Sequence, residues 1–255
     1  MGLHHKILGS GQPLIIVHGL FGMLDNWMSL AKRYAEFYEV HLVDQRNHGH
    51  SFHHPEHNYK SMSQDLIEYI ESKELKNVFL MGHSMGGKTA MYTASMKPNL
   101  IEKLISVDIG PKYYPPHHQD ILKGLKAVEK AKVQSRKEAD LVLSAHFDQL
   151  SIRQFLLKNL YWKTKTCLEF RFNLDAISQQ IEEVGKALPS SFAYSNPSLF
   201  IRGARSSYIL DDDVEAIENQ FSDFHLDTVS NAGHWVHAEN PDEFWDKTMQ
   251  FLQFA

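Results

Sequence analysis

The chain is predicted to fold as an α/β protein, a mostly parallel central sheet covered by helices on both faces. Short apolar runs at residues 14–17, 40–43, 77–81, 104–107 and 198–201 lack polar alternation, which is the pattern of strands buried on both faces. Segments with apolar residues three and four apart lie between several of these runs, and strand–helix alternation of this kind builds a parallel sheet. The placement of chemistry-bearing residues points the same way: His18, Ser84, Asp108 and His234 each fall just after a strand-type run. Ligands of such sheets bind at the carboxyl ends of the strands, so these residues are expected to converge although they lie far apart in sequence.

Taken in chain order, the turn-rich lead-in Gly9-Ser10-Gly11-Gln12-Pro13 precedes strand 14–17. That strand ends at His18-Gly19-Leu20-Phe21-Gly22, a glycine-bearing loop able to aim a backbone N–H into a cleft. Trp27, Leu30, Ala31, Tyr34 and Phe37 then recur at helical spacing, with Asp25 or Asn26 as N-cap. Strand 40–43 leads into a segment rich in histidine: His48, His50, His53, His54 and His57. Their spacing matches no zinc pattern, so the segment reads as a solvated loop that gains charge below neutral pH. Ser61 and Gln64 form a capping-box pattern opening a helix with Leu66, Tyr69 and Ile70 on one face. Strand 77–81 is followed by a turn and a helical run that stops at Pro98, and strand 104–107 ends at Asp108-Ile109-Gly110-Pro111.

Alternation stops there. Residues 112–189 show helical periodicity without strands: Ile121, Leu122, Leu125 and Val128 make one stripe, and Phe155, Leu156, Leu160, Tyr161 and Trp162 crowd a second segment. An all-helical insertion between strands of a parallel sheet is expected to form a lid over the site. The expected division is therefore a core of residues 1–111 and 190–255 with a lid of residues 112–189. Alternation resumes with strand 198–201, a helix at 211–221 and a last strand at 225–229. Asn240-Pro241-Asp242-Glu243 opens the final helix with a cap, a proline at its first position and a glutamate at its third.

Composition narrows the function classes. A chain of 255 residues, 43% hydrophobic and 22% charged, is an ordinary globular protein that buries a core without staples. Its formal net charge of −5 argues against nucleic-acid binding by bulk charge. Cys167 is the one cysteine, so no intrachain disulfide forms and a reducing, cytoplasmic setting is expected. Residues 1–13 lack the apolar run of a signal peptide, Lys6 stands where a myristoylation signal needs Ser or Thr, and no apolar segment reaches spanning length. No stable membrane insertion, metal or cofactor is expected, and the oligomeric state is left open.

Residues 82–86 read Gly-His-Ser-Met-Gly between a strand and a helix. A serine hydroxyl becomes useful as a nucleophile on a sharp, exposed turn with a base and backbone N–H groups nearby. The turn strains the serine backbone, and the flanking glycines remove the Cβ atoms that would keep strand and helix apart. The alternative for the pentapeptide alone is a tight turn carrying a surface serine.

Four stretches together resemble the α/β-hydrolase superfamily over nearly the whole chain. They are HGLFG at 18–22, DQRNHGHS at 44–51, GHSMGGK at 82–88 and AGHWVHAENP at 232–241, in that family's order. With LDNW after HGLFG, and VDIGP at 107–111, the closer likeness is to the YbfF-type bacterial esterases and their mitochondrial abhydrolase relatives. The resemblance implies an α/β-hydrolase fold with Ser84 as nucleophile and His234 as base, His237 being the local rival. The commonest family pattern has its acid in a G-x-x-D context after the penultimate strand, but here Gly203-Ala204-Arg205-Ser206 ends in serine. The superfamily's other position for the acid is the end of the strand after the elbow helix, where Asp108 sits. Asp211 and Asp175 stand behind it as candidates. By the same likeness, the backbone N–H groups of Leu20 and Met85 form the oxyanion hole. Asp44 and Arg46 are expected to fix the loop around Gly49.

The implied activity is cofactor-independent hydrolysis of a small-molecule carboxylic ester or thioester through an acyl-enzyme, on apolar acyl chains of short to medium length. Acyl-CoA thioesters are an alternative substrate. Lys123, Lys126, Lys130 and Lys132 read as a solvated helix face rather than an anion-attracting patch. The superfamily also includes cofactor-free peroxidases and carbon–carbon hydrolases, and a non-catalytic ligand-binding protein is a third class of reading. Dehalogenases and epoxide hydrolases use an aspartate nucleophile, so Ser84 counts against them.

Overall fold

A computed structural model describes residues 2–116 and 118–253. The main sheet contains β1 (His5–Leu8), β2 (Pro13–Val17), β3 (Glu39–Val43), β4 (Val78–His83), β5 (Ile101–Val107), β8 (Ser198–Gly203) and β9 (Phe224–Val229), in the order β1-β3-β2-β4-β5-β8-β9. All pair in parallel except β1, which runs antiparallel to β3 with His5 opposite Val43. β1 has no counterpart among the expected strands. Its four residues, HKIL, carry no period of their own, so the pairing with β3 creates the strand.

Side chains alternate across the sheet and so feed two apolar layers. On one face Leu14, Ile16, Leu42, Met81 and Ile105 pack against Trp27, Leu30, Tyr34, Phe244 and Met249. The helical partners there are α1 (Met28–Tyr34) and α11 (Pro241–Gln253). On the other face Ile15, Val17, Leu80, Leu104 and Phe200 meet Leu66, Ile70, Ala90, Met91 and Ile217. These come from α2 (Tyr59–Ser72), α3 (Met85–Met96) and α9 (Val214–Glu218). Each fully buried side chain of this size contributes about 2 kcal/mol, and the central strands contribute to both layers.

Helix starts differ from expectation in instructive ways. The first helical stretch opens as a 3₁₀ turn at Leu24–Trp27, and Asn26 accepts a hydrogen bond from the backward-lying N–H of Met23 at 2.7 Å instead of capping forward. Phe37 lies beyond that helix and is half-exposed. α2 begins ahead of the Ser61 capping box, because Asn58 caps it by accepting from Ser61 N at 2.9 Å. The expected helix at 211–221 is a 3₁₀ turn, Asp211–Asp213, followed by α9.

Between β5 and β8 the chain leaves the main sheet. It forms α4 (Gln119–Ala131), α5 (Arg136–Ser144), α6 (Leu150–Leu157), α7 (Leu174–Gln179) and α8 (Ile181–Gly185). The expectation of an insertion without strands is corrected by an antiparallel hairpin, β6 (Leu160–Thr164) with β7 (Cys167–Phe170). Leu168 and Phe170 of β7 are buried with a period of two, whereas β6 buries only Leu160 and leaves Trp162 exposed, so the aromatic cluster itself shows no alternation. The insertion has its own apolar core, which reaches Phe21 of the loop after β2. The remaining helix, α10 (Val236–Glu239), precedes α11.

The histidine segment is not a solvated loop throughout. His53 and His54 are exposed, but His48 and His57 are fully buried beneath the loop after β2. Burial holds His48 well below the usual histidine range, with neighbouring His18 and His57 adding to it, and lowers His57 to about 4. These rings therefore stay neutral where exposed histidines charge. Asp44 accepts from the backbone N–H groups of Leu24 at 2.7 Å and His50 at 2.9 Å. Its carboxylate fills the space that a Cβ on Gly49, at φ 56°, would occupy. Arg46 grips Asp65 bidentately at 2.5 and 2.8 Å.

Candidate active site

Ser84 sits between β4 and α3 with φ 53° and ψ −120°, a strained conformation for a residue with a side chain. Its N–H still bonds to Val107 O at 3.0 Å, so the strand ladder runs into the turn itself. The turn needs its glycines. A Cβ on Gly82 would strike the Gly86 carbonyl, and one on Gly86 would strike the carbonyls of Val17 and His18. Asp108 repeats the arrangement one strand away: φ is 51° and its N–H bonds to Ile201 O at 2.8 Å.

The loop after β9 brings His234 to these two turns. Its Nε2 lies 3.0 Å from Ser84 Oγ and its Nδ1 2.8 Å from Asp108 Oδ2. A carboxylate only accepts, so it fixes the tautomer with the proton on Nδ1 and a lone pair on Nε2 facing the serine hydroxyl. Asp108 is fully buried and its charge is well supplied with donors: Ser206 Oγ donates to Oδ2 at 2.5 Å and Gly203 N to Oδ1 at 3.2 Å. Ser206, noted in the sequence as a departure from G-x-x-D, thus contacts the carboxylate at Asp108. The other acidic candidates lie elsewhere. Asp211 is exposed and pairs with Arg202 at 2.7 Å, and Asp175 is exposed in the first turn of α7.

Further rings hold His234 in place. Tyr208 stacks on it, centroids 3.8 Å apart and planes 18° apart. His83 donates its Nε2–H to the His234 carbonyl at 2.8 Å. Sequence reasoning singled out neither residue; the only signal was that His83 occupies the variable position of G-x-S-x-G. His237 stacks on Trp27 at 4.0 Å, and burial beside His234 lowers it to about 3. It is a neutral wall residue with no hydrogen bond to Ser84.

The loop after β2 is shaped by buried neutral histidines. His18 Nδ1–H donates to Gly19 O at 2.8 Å and its Nε2 accepts from Gln45 N at 3.1 Å, while His48 Nε2 accepts from Phe21 N at 3.1 Å. Desolvation lowers His18 and His48 from the usual histidine value, which suits rings that must present a lone pair. The backbone N–H groups of Leu20 and Met85 have no acceptor among the described residues.

Two hollows open beside Ser84. The wider, of about 210 Å³, is walled largely by apolar side chains, including Ile121, Ile152, Phe155 and Leu156 from the insertion and Trp235 from the His234 loop. The narrower, of about 30 Å³, lies between Tyr59, Met85, Tyr114, Ile181 and Val184. Among the described residues no group of three or more His, Cys, Asp and Glu is arranged to hold a metal ion. Nor is any helix among them long and apolar enough to cross a membrane.

Residues 12–241 match the α/β hydrolase fold family. A putative esterase/lipase of Haemophilus influenzae is 41% identical over 230 residues, covering 90% of this chain and 79% of that protein. The sn-1-specific diacylglycerol lipase ABHD11 of Mus musculus is 40% identical over 247 residues, 94% of this chain and 80% of that protein. Esterase YbfF of Escherichia coli is 34% identical over 236 residues, 91% of this chain and 90% of that protein. Among solved structures, a marine microorganism esterase superposes with a TM-score of 0.95 at 39% identity, over 98% of this chain and 99% of that one. The chain belongs to the α/β hydrolase fold family.

Proposed function

We propose that this protein is a serine hydrolase that cleaves carboxylic esters or thioesters through an acyl-enzyme. One observation carries the reading: the hydrogen-bonded line from Ser84 Oγ through His234 to the buried Asp108, with bonds of 3.0 and 2.8 Å. The names borne by its relatives, esterase and lipase, support the same reaction class.

In this mechanism His234 Nε2 takes the Ser84 proton as Oγ attacks the acyl carbonyl. Asp108 stabilises the imidazolium that results. The tetrahedral oxyanion is received by the N–H groups of Leu20 and Met85; one such donor is worth about 100- to 1,000-fold in turnover. His234 then returns the proton to the leaving alcohol or thiol. Water, deprotonated by the same Nε2, attacks the acyl-enzyme and frees Ser84. The inserted segment acts as a lid, its apolar side chains forming the wall against which an acyl chain of short to medium length lies.

The test is hydrolysis of p-nitrophenyl esters from acetate to palmitate, with acyl-CoA run in parallel, on wild type and Ser84→Ala. Hydrolysis that disappears in a folded Ser84→Ala sample is the expected result. Full activity in that variant would overturn the reading.

A further inference from the structure

Lys88 closes the GHSMGGK stretch and has no role in the hydrolysis above, yet it is among the largest fully buried side chains. It lies on α3 one helical turn beyond Ser84. Its ammonium reaches the neck where the inserted segment leaves and rejoins the core. There it donates to Lys112 O at 2.7 Å on the outgoing stretch, and to Gly185 O at 3.4 Å and Lys186 O on the returning one. Two backbone bonds close the same neck: Tyr114 N to Gly185 O and Leu188 N to Pro111 O, both 2.8 Å.

The same ammonium lies 4.8 Å from the ring centroid of Tyr114 and 5.7 Å from that of Tyr59. Among the described residues its partners are thus carbonyls and ring faces rather than a carboxylate. Burial, with the Lys112 charge adding to it, lowers the amine to about 7, so the charge is held at a cost that an apolar side chain would avoid. The surroundings indicate what the cost supports. Tyr59, Tyr114 and Gly185 are walls of the narrow hollow beside Ser84. Tyr59 Oη donates to Val184 O at 2.6 Å, and Tyr114 Oη donates to the carbonyl of Tyr208 at 2.7 Å. The Tyr208 ring in turn lies flat on His234.

We propose that Lys88 is a specificity-determining positioning residue, clasping both ends of the inserted segment to the nucleophile helix and so fixing the width of the hollow that takes the small end of the ester. This rests on the hydrolase reading. At about 30 Å³ against about 210 Å³ for its neighbour, this hollow is the more restrictive of the two beside Ser84. Lengthening that end of the substrate is therefore penalised, and loosening the neck relaxes the penalty.

The experiment measures kcat/KM on two ester series, p-nitrophenyl esters with a growing acyl chain and octanoate esters with a growing alcohol, for wild type, Lys88→Met and Tyr59→Phe. Circular dichroism checks folding. In one series wild type should lose about tenfold for each methylene beyond what the hollow admits, the usual size of such a penalty. Lys88→Met should flatten that fall to about threefold or less, and Tyr59→Phe, which loses only the bond to Val184, should shift it less in the same direction. If Lys88→Met does not fold, Tyr59→Phe decides by that shift. A wild type active on esters with no steep fall in either series, or folded variants with the wild-type profile or a uniform loss across both series, would overturn the role of Lys88 and leave the hydrolase reading standing. A wild type inactive on every ester and thioester would overturn both.

Discussion

Replacing Asp108 with Asn keeps the size of the side chain and removes one acceptor. In the fold Oδ2 accepts from His234 Nδ1 at 2.8 Å and from Ser206 Oγ at 2.5 Å, and Oδ1 accepts from Gly203 N at 3.2 Å. An amide has one oxygen to offer. With that oxygen facing Gly203, the NH₂ meets His234 Nδ1 and can only donate. The imidazole must then carry its proton on Nε2 and has no lone pair for Ser84. With the oxygen facing His234, the NH₂ meets the Gly203 N–H, two donors opposed at a site closed to water. The first arrangement is the less costly, and the wrong tautomer lowers turnover by about 10⁴ in a serine triad. At about 1.4 kcal/mol per tenfold, that is roughly 5.5 kcal/mol of transition-state stabilisation. The assay is kcat and kcat/KM on p-nitrophenyl butyrate, with a thermal melt to establish folding. A folded Asp108→Asn that loses less than about tenfold would refute the tautomer reasoning and move the acid to Asp211 or Asp175. Asp211→Asn, at an exposed site, is expected to leave kcat within about twofold of wild type.

Other consequences follow from the same contacts. Ser206→Ala removes a charge-assisted donor from the buried carboxylate, an interaction of about 1.5–3 kcal/mol. A loss of kcat of roughly 10- to 100-fold, smaller than that of Asp108→Asn, is expected, whereas unchanged kcat would make that bond irrelevant to catalysis. Among the described residues His57 has no hydrogen-bond partner on either ring nitrogen, and burial lowers it to about 4. Above pH about 6.5 the ring is neutral folded or unfolded, so it adds no pH dependence. As the pH falls from there to about 4 the unfolded chain takes up the proton first, and stability of about 3 kcal/mol is progressively lost. His57→Leu should therefore lessen acid destabilisation, read as the difference in urea unfolding free energy between about pH 7 and pH 4.5. An unchanged difference would contradict that assignment.

The parallel strands were legible because burial on both faces leaves uninterrupted apolar runs, as in β2 and β4. β1 was not, since HKIL becomes a strand only by pairing with β3. The β6–β7 hairpin was masked because Tyr161 and Trp162 also suit a helical reading of the cluster beginning at Phe155. Within the candidate site, the motif positions of Ser84 and His234 and the apolar setting of Asp108 could be read from sequence. What Ser206 touches could not, because a serine in place of the expected aspartate discloses a departure and not its new partner. Tyr208 and His83 act through stacking and through a bond to a backbone carbonyl, which leave no spacing pattern. The burial of His48 and His57 escaped notice for a related reason: a polar, glycine- and proline-bearing loop reads as solvated until the element above it is known.

Ser84 Oγ is the proposed attacking atom. Wild type and Ser84→Ala would be incubated with a fluorophosphonate and examined by intact mass and peptide mapping, with esterase activity followed in parallel. The hydrolase reading predicts one adduct, on Ser84, forming as activity is lost, and no adduct on folded Ser84→Ala. Unlabelled wild type, or an adduct on another residue accompanying the loss of activity, would contradict it.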